Sequence, residues 1–425
     1  MLRLFSSRSD PNFGKMKVEN FIDERGSETV GMKPGRVPSP TSIALAGLTA
    51  IAVALGIGRF AFTPILPMMQ EDAGLSVADG GWLASVNYLG FLLGAVSAMG
   101  LRLRPTTAIR GGLVVIGMVT LGMGFTSQFI GWIVLRALAG IANAWVQIFV
   151  FAWCLKKLAA VRRPLLNGVV FAGVGTGIAI AGGFCLVLMQ VNARSAQAWI
   201  GLGIISLIAT AVIWLIFGPD DEVMTDEGRP PTSCGWRWDP DSLNLVLCFG
   251  ASGFGYIIPA TFLPVMARQL IPDPLVFGWS WPLFGAAAAV APLATAGWAQ
   301  LLGNRRLWIL SHLVMALGVA LPVSWPAIGG IMIAALLVGS TFMINAMASM
   351  QEARAVAGPD ATDLMAAMIA AFGTGQIFGP ILVSYVIGRD SDFSQSLLVA
   401  SLVLIVSAYV LSRRTGRKTG EMARR

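Results

Sequence analysis

The sequence predicts an all-α polytopic membrane protein, with twelve spans arranged as two related six-helix halves. Three observations carry that prediction: long uninterrupted apolar runs, basic residues concentrated in alternate loops, and short stretches that recur about 197 positions apart. The chain has 425 residues, of which 56% are hydrophobic and only 12% charged, and its mean hydropathy is +0.73. A soluble domain carries about 25% charged residues and less apolar content. A helix needs about 20 apolar residues to cross a bilayer, and only helices and closed barrels satisfy their backbone there. The runs here are continuous rather than ten-residue alternating segments, which excludes an outer-membrane barrel.

The spans fall near Thr41–Met69, Val77–Leu101, Thr106–Thr126, Ile130–Leu155, Leu165–Gln190, Ala198–Phe217, Leu243–Ala267, Phe277–Leu302, Leu307–Val323, Ala327–Met350, Leu364–Ile387 and Ser394–Leu411. They divide the chain into an N-terminal half (41–217) and a C-terminal half (243–411). Between the halves, residues 218–242 are rich in proline and acids and read as a cytoplasmic linker. Residues 1–40 are polar, of mixed charge and without the apolar core of a signal peptide, so they read as a disordered cytoplasmic tail, with Met16 and Met32 as alternative starts. A basic cytoplasmic tail, 412–425, closes the chain.

Loop charge sets the expected orientation. With the N-terminus inside, cytoplasmic loops hold Arg102, Arg104, Arg110, Lys156, Lys157, Arg162, Arg163, Arg229, Arg237, Arg305, Arg306 and Arg354, and the C-terminal tail adds six more basic residues. The opposite loops hold Arg194, Arg268 and Arg389. This asymmetry places both termini in the cytoplasm. It also accounts for the net charge of +8 and the pI near 9.7 without a nucleic-acid partner.

The duplication is visible by direct comparison. Gly56-Ile57-Gly58 matches Gly253-Phe254-Gly255, Leu66-Pro67 matches Leu263-Pro264, and Gly81-Trp82 matches Gly278-Trp279, all offset by 197. Gly175-Thr176-Gly177 matches Gly373-Thr374-Gly375 at an offset of 198. Parallel six-helix repeats are an architecture of secondary transporters. The run GIGRFAFTPILPMMQ (56–70), then GLS (74–76), GGWLASVNYLGFLLGA (80–95) and FGTGQIFGP (372–380), resembles the YbfB/YjiJ-type branch of the major facilitator superfamily. The resemblance covers all twelve spans. It implies a secondary transporter of the bacterial inner membrane that works by alternating access. LRALAGIANA (135–144) is similar to a superfamily motif whose arginine, here Arg136, is tied to energy coupling in some relatives. The superfamily's loop pattern is poorly kept: Gly100 to Pro105 lacks its acid, and Leu301 stands where aspartate is expected.

Arg59 is the first candidate site residue. It lies eleven residues before the acidic loop Gln70-Glu71-Asp72, roughly 16 Å inward at about 1.5 Å per residue. A charge there costs about 2.5–3.5 kcal/mol on insertion scales, so it needs a watery cavity or a partner. Two readings stand: a site for an anionic or carbonyl-rich solute, or a structural arginine bound to helix-end carbonyls. Thr63 lies one turn on, and Pro64 and Pro67 loosen the helix. Arg136, Gly140, Asn143 and Gln147 form one stripe of the fourth span, expected to face a central cavity or to bond between helices. Asn87, Tyr256, Asn345 and Gln376 are lone polar positions that fit either pocket or packing, and Tyr256 occupies the repeat position of Arg59.

Several classes are disfavoured. No phosphate-loop run occurs, and the glycines of the fifth and eleventh spans read as helix contacts. The four cysteines lack metal or redox spacing, and His312 is the sole histidine. No cofactor and no metal are expected, and neither an enzyme nor a sensor fits. All 22 acidic residues fall in tails, loops or helix ends, with Asp79, Glu352 and Asp363 nearest a span interior, so the coupling mode stays open between proton, counter-substrate and uniport. The sequence therefore predicts a monomeric carrier in the lipid bilayer for a small organic solute, with a lean toward an anion. The alternative is efflux of hydrophobic compounds.

Overall fold

A computed structural model of the chain describes residues 38–100, 104–159, 164–218, 239–295, 301–357, 361–386 and 392–413. The expected tails lie almost wholly outside these residues, as do most of the linker and Arg102, Arg162, Arg163 and Arg389. Within the described residues the regular structure is helical. Twelve helical spans are long and apolar enough to cross a membrane: Pro40–Asp72, Val77–Ala98, Pro105–Met123, Phe129–Cys154, Leu166–Gln190, Ser195–Ile213, Pro240–Leu270, Pro274–Thr295, Asn304–Ser324, Ile328–Ala357, Leu364–Val386 and Ser394–Ser412. They are numbered here one to twelve.

Several spans start earlier than hydropathy alone places them, because a proline sits in the first turn. Pro40, Pro105, Pro240 and Pro274 each open a helix, where the missing N–H would have no partner anyway. Ser39 and Asp239 cap two of these starts, accepting from Ser42 N at 3.2 Å and Ser242 N at 2.7 Å. Span six stops at Ile213 rather than Phe217. Just beyond it, Arg110 donates to Trp214 O (2.7 and 3.2 Å) and covers the indole ring at 4.8 Å.

Within each half the packing repeats. A Cβ added to Gly56 would lie 2.3 Å from Gly177 Cα, so spans one and five touch backbone to backbone. Their repeat mates do the same: a Cβ on Gly375 would lie 2.2 Å from Gly250 O, joining spans seven and eleven. Small residues permit such approaches in a bilayer, where dispersion and close packing replace the hydrophobic drive. The halves meet through spans one against seven, two against eleven and five against eight.

Several buried polar groups away from this interface are held by hydrogen bonds to neighbouring helices. His312 in span nine is fully buried, hydrogen-bonded to Ser252, with the Trp308 indole donating to its Nε2 at 3.3 Å. Cys154, Cys185 and Cys248 are buried and unpaired. At one end of the C-terminal half, Arg305 forms a bidentate pair with Asp241 (2.7 and 2.9 Å) and donates to Leu411 O. This supplies an acid partner that the neighbouring loop pattern lacks.

Candidate functional site

The site grows out of a break in span one. The helix runs from Pro40 to Ile51, widens to π geometry over Ala52–Ile57, turns through Gly58–Ala61, and resumes at Phe62–Asp72. Gly58 N donates to Val53 O and Phe60 N to Leu55 O, each reaching back five residues. Pro64 has no N–H, and Thr63 N turns to Phe60 O at 3.2 Å. The carbonyls of Gly58 and Arg59 take the Arg136 guanidinium at 3.4 and 3.3 Å, and Leu83 O takes its Nε at 3.5 Å. Arg136 also lies 4.8 Å over the Phe62 ring. Single-turn π segments cluster at functional sites because they re-aim side chains without ending the helix.

What this break aims is Arg59. Its side chain is 5% exposed and points across the molecule to span eleven of the other half, donating from Nη2 to Gln376 Oε1. Gln376 Nε2 in turn donates to the Tyr256 hydroxyl on span seven. The Arg59 guanidinium carbon sits 4.7 Å from the Tyr88 ring centre, 4.6 Å from Phe91 and 5.4 Å from Phe60. Desolvated cation–π contacts contribute up to about 2 kcal/mol, which offsets part of the burial cost. Arg59 Nε has no hydrogen-bond partner among the described residues. Tyr256 lies nearly parallel to Phe342 (5.3 Å, 7°) and Phe372 (5.5 Å, 12°). Phe342 also packs on Phe284, which stacks on Trp281.

One end of this site is tied shut between the halves. Thr63 Oγ1 donates to Ala260 O at 2.7 Å, and these two residues are repeat mates, 197 positions apart. Glu71 and Arg268 are another such pair, joined by a 2.8 Å salt bridge, with Arg268 Nη1 also donating to Pro67 O at 2.5 Å. Ser85 Oγ donates to Ile377 O (3.1 Å) and Ser384 Oγ to Ala78 O (3.0 Å). Contact between equivalent positions means that the pseudo-twofold axis runs through this seam.

The structure thus brings Arg59, Thr63, Tyr256 and Gln376 to the interface between halves. Asn87 and Arg136 lie deeper in the N-terminal half, where Asn87 Nδ2 donates to Arg136 O at 2.9 Å. Asn143 is fully buried beside Gly58, and neither of its amide atoms is paired among the described residues, nor is Gln147 Oε1. Asn345 is buried in span ten with its amide nitrogen 3.7 Å from Met315 Sδ. Asp79 lies in the first turn of span two, where Ser76 Oγ caps its N–H at 3.0 Å and donates to its carboxylate at 2.6 Å.

Sequence reasoning missed the aromatic walls, Phe60, Tyr88, Phe91, Phe342 and Phe372, since an aromatic in an apolar run carries no polar signal. The Glu71–Arg268 pair had a usable signal: opposite charges at repeat positions on the same side of the membrane.

Comparison with known proteins follows this geometry. Residues 51–412 match the family described as "Uncharacterised MFS-type transporter YbfB". Among solved structures, a mutant of the nucleoside transporter NupG is similar in fold, with a TM-score of 0.68, 12% identity, and coverage of 88% of this chain and 99% of that one. A bacterial homologue of the human lysosomal transporter Spinster, in an inward-facing and occupied conformation, has a TM-score of 0.68 at 14% identity, with 89% of this chain and 97% of that one covered. At such identity the likeness speaks to fold alone. The long family match, the twelve spans and the duplicated halves agree: this chain belongs to the YbfB family of major facilitator superfamily transporters, multi-pass membrane carriers that work by alternating access.

Proposed function

We propose that this carrier moves a small organic anion across the bacterial inner membrane, with Arg59 as the group that holds the negative charge. The single observation behind this reading is the Arg59 guanidinium, buried between the two halves with the neutral amide of Gln376 as its side-chain acceptor among the described residues. An arginine buried without an acidic partner among the described residues favours an arriving anion, because an ion pair in a low-dielectric site adds Coulomb attraction that a neutral amide acceptor does not supply. Arg136 is engaged by three carbonyls, so the site offers one cation and suits one negative charge. Phe60, Phe342 and the Tyr256 ring add apolar faces, which suit a flat hydrocarbon body. Thr63, Asn87, Arg136, Asn143, Gln147 and Asn345 complete the residues proposed to bind or position the solute.

The loop charges support an orientation with both termini in the cytoplasm, which puts the Glu71–Arg268 seam on the outer side. A second reading, export of neutral hydrophobic compounds, is favoured by the same aromatic walls. Uptake and efflux of benzoate, 3-phenylpropionate and neutral aromatic analogues by purified protein in proteoliposomes, with and without an imposed pH gradient, separates the two. The anion reading expects benzoate-type transport that Arg59→Ala lowers about ten- to a hundredfold, the worth of one charged hydrogen bond. Transport of the neutral analogues alone, or an Arg59→Ala carrier with unchanged affinity, sinks it.

A further inference from the structure

We infer that Gln376 is a built-in stand-in for the transported anion: its side-chain oxygen occupies the anion's place on Arg59, so that the empty carrier can close and return. This rests on the reading of Arg59 as the anion-binding group.

The argument starts from hydrogen-bond inventory. A guanidinium only donates, so the atom facing Arg59 Nη2 must be the Gln376 carbonyl oxygen, and the amide nitrogen then points the other way. That nitrogen donates to the Tyr256 hydroxyl, which fixes the amide's orientation. Tyr256 itself is held flat against Phe342 and Phe372. The acceptor is therefore presented by a rigid support belonging to the half opposite Arg59.

Two consequences follow. First, the bond spans spans one and eleven, so it exists only while the halves are together at this level. It rewards closure of an unloaded carrier, whose buried arginine would otherwise resist desiccation. Secondly, a carboxylate reaching Arg59 competes for the same N–H. It wins because an ionised acceptor binds more strongly than an amide. The neutral amide is strong enough to close the empty site and weak enough to yield. A carrier with such a device performs net transport, and obligatory exchange is what its removal should leave.

The test is hydrogen–deuterium exchange on the purified full-length protein in nanodiscs, with no solute added. Peptides from Gly58–Asp72 and Ala260–Leu270 report the seam. Gln376→Leu removes the acceptor at similar size, and roughly ten- to a hundredfold faster exchange is expected in both peptides. Gln376→Glu supplies a permanent carboxylate, and exchange slower than wild type is expected. Opposite shifts cannot come from misfolding, which loosens both variants. If the two variants move the same way, or neither moves, Gln376 is only a packing residue and the inference is overturned. No anion is present, so a failed transport screen leaves this result standing, and a failed exchange experiment leaves the anion reading intact.

Discussion

Spans one and seven descend from one repeat, yet they are built differently. Span seven is a continuous α-helix from Pro240 to Leu270, although it contains Pro259 and Pro264. Span one has a π segment and a turn in the middle. The difference follows from what stands opposite. Span one faces Arg136, whose guanidinium donates to the Gly58 and Arg59 carbonyls freed upstream of Pro64, and the break turns Arg59 across the interface. At the equivalent place span seven carries Tyr256, a neutral group that holds Gln376 from the other side. The lesson is a division of labour: the N-terminal half supplies the charge, and the C-terminal half supplies the surface that meets it.

The largest test of this contrast is Arg136→Leu. It strips the Gly58 and Arg59 carbonyls of their donor inside the membrane, at about 1–3 kcal/mol for each unsatisfied group. Thermal unfolding in detergent should show a loss on the order of 3–5 kcal/mol. Arg136→Lys should recover less than half, because one ammonium cannot serve three carbonyls in a planar fork. An unchanged melting temperature in Arg136→Leu would mean that the break in span one is self-supporting.

Next in size is the backbone contact. Gly56→Ala should cost about 1–3 kcal/mol through overpacking against Gly177, and Gly375→Ala a similar amount against Gly250. Equal losses in chemical denaturation support equivalent packing in the two halves. A harmless substitution in either one breaks the symmetry of the contact. Tyr256→Phe should be milder, since it removes one hydroxyl from Gln376 and leaves the ring stack. About 1 kcal/mol, or a roughly fivefold rise in the KM for benzoate, is expected from proteoliposome uptake.

The smallest effect belongs to the Glu71–Arg268 pair, whose side chains are 73% and 28% exposed. A double-mutant cycle with Glu71→Ala and Arg268→Ala, read by unfolding, should give a coupling of about 0.2–1 kcal/mol that weakens in high salt. Arg268→Ala alone should cost more than Glu71→Ala alone, because it also releases Pro67 O.

Much of this architecture is legible in the sequence. Gly56 and Gly253, or Gly177 and Gly375, reveal the duplication because close helix contacts tolerate only small residues. Arg59, Tyr256 and Gln376 are visible as lone polar positions on three separate spans. Their convergence is not, since it depends on how the halves dock. Nor could sequence separate the two buried arginines: Arg136 is bound to main-chain carbonyls and Arg59 to a side chain of the opposite half, and that distinction lives in the π segment. Its cause, a shift in main-chain bonding upstream of Pro64, leaves no periodic mark on side chains.

The account rests most heavily on Arg59 against its repeat mate. Initial-rate uptake of benzoate into proteoliposomes, compared among wild type, Arg59→Gln and Tyr256→Phe, measures that contrast directly. A KM raised about ten- to a hundredfold in Arg59→Gln, beside a rise of roughly fivefold in Tyr256→Phe, is the predicted result. Equal effects at the two positions, or a larger one at Tyr256, would contradict the assignment of the charge-binding role to the N-terminal half.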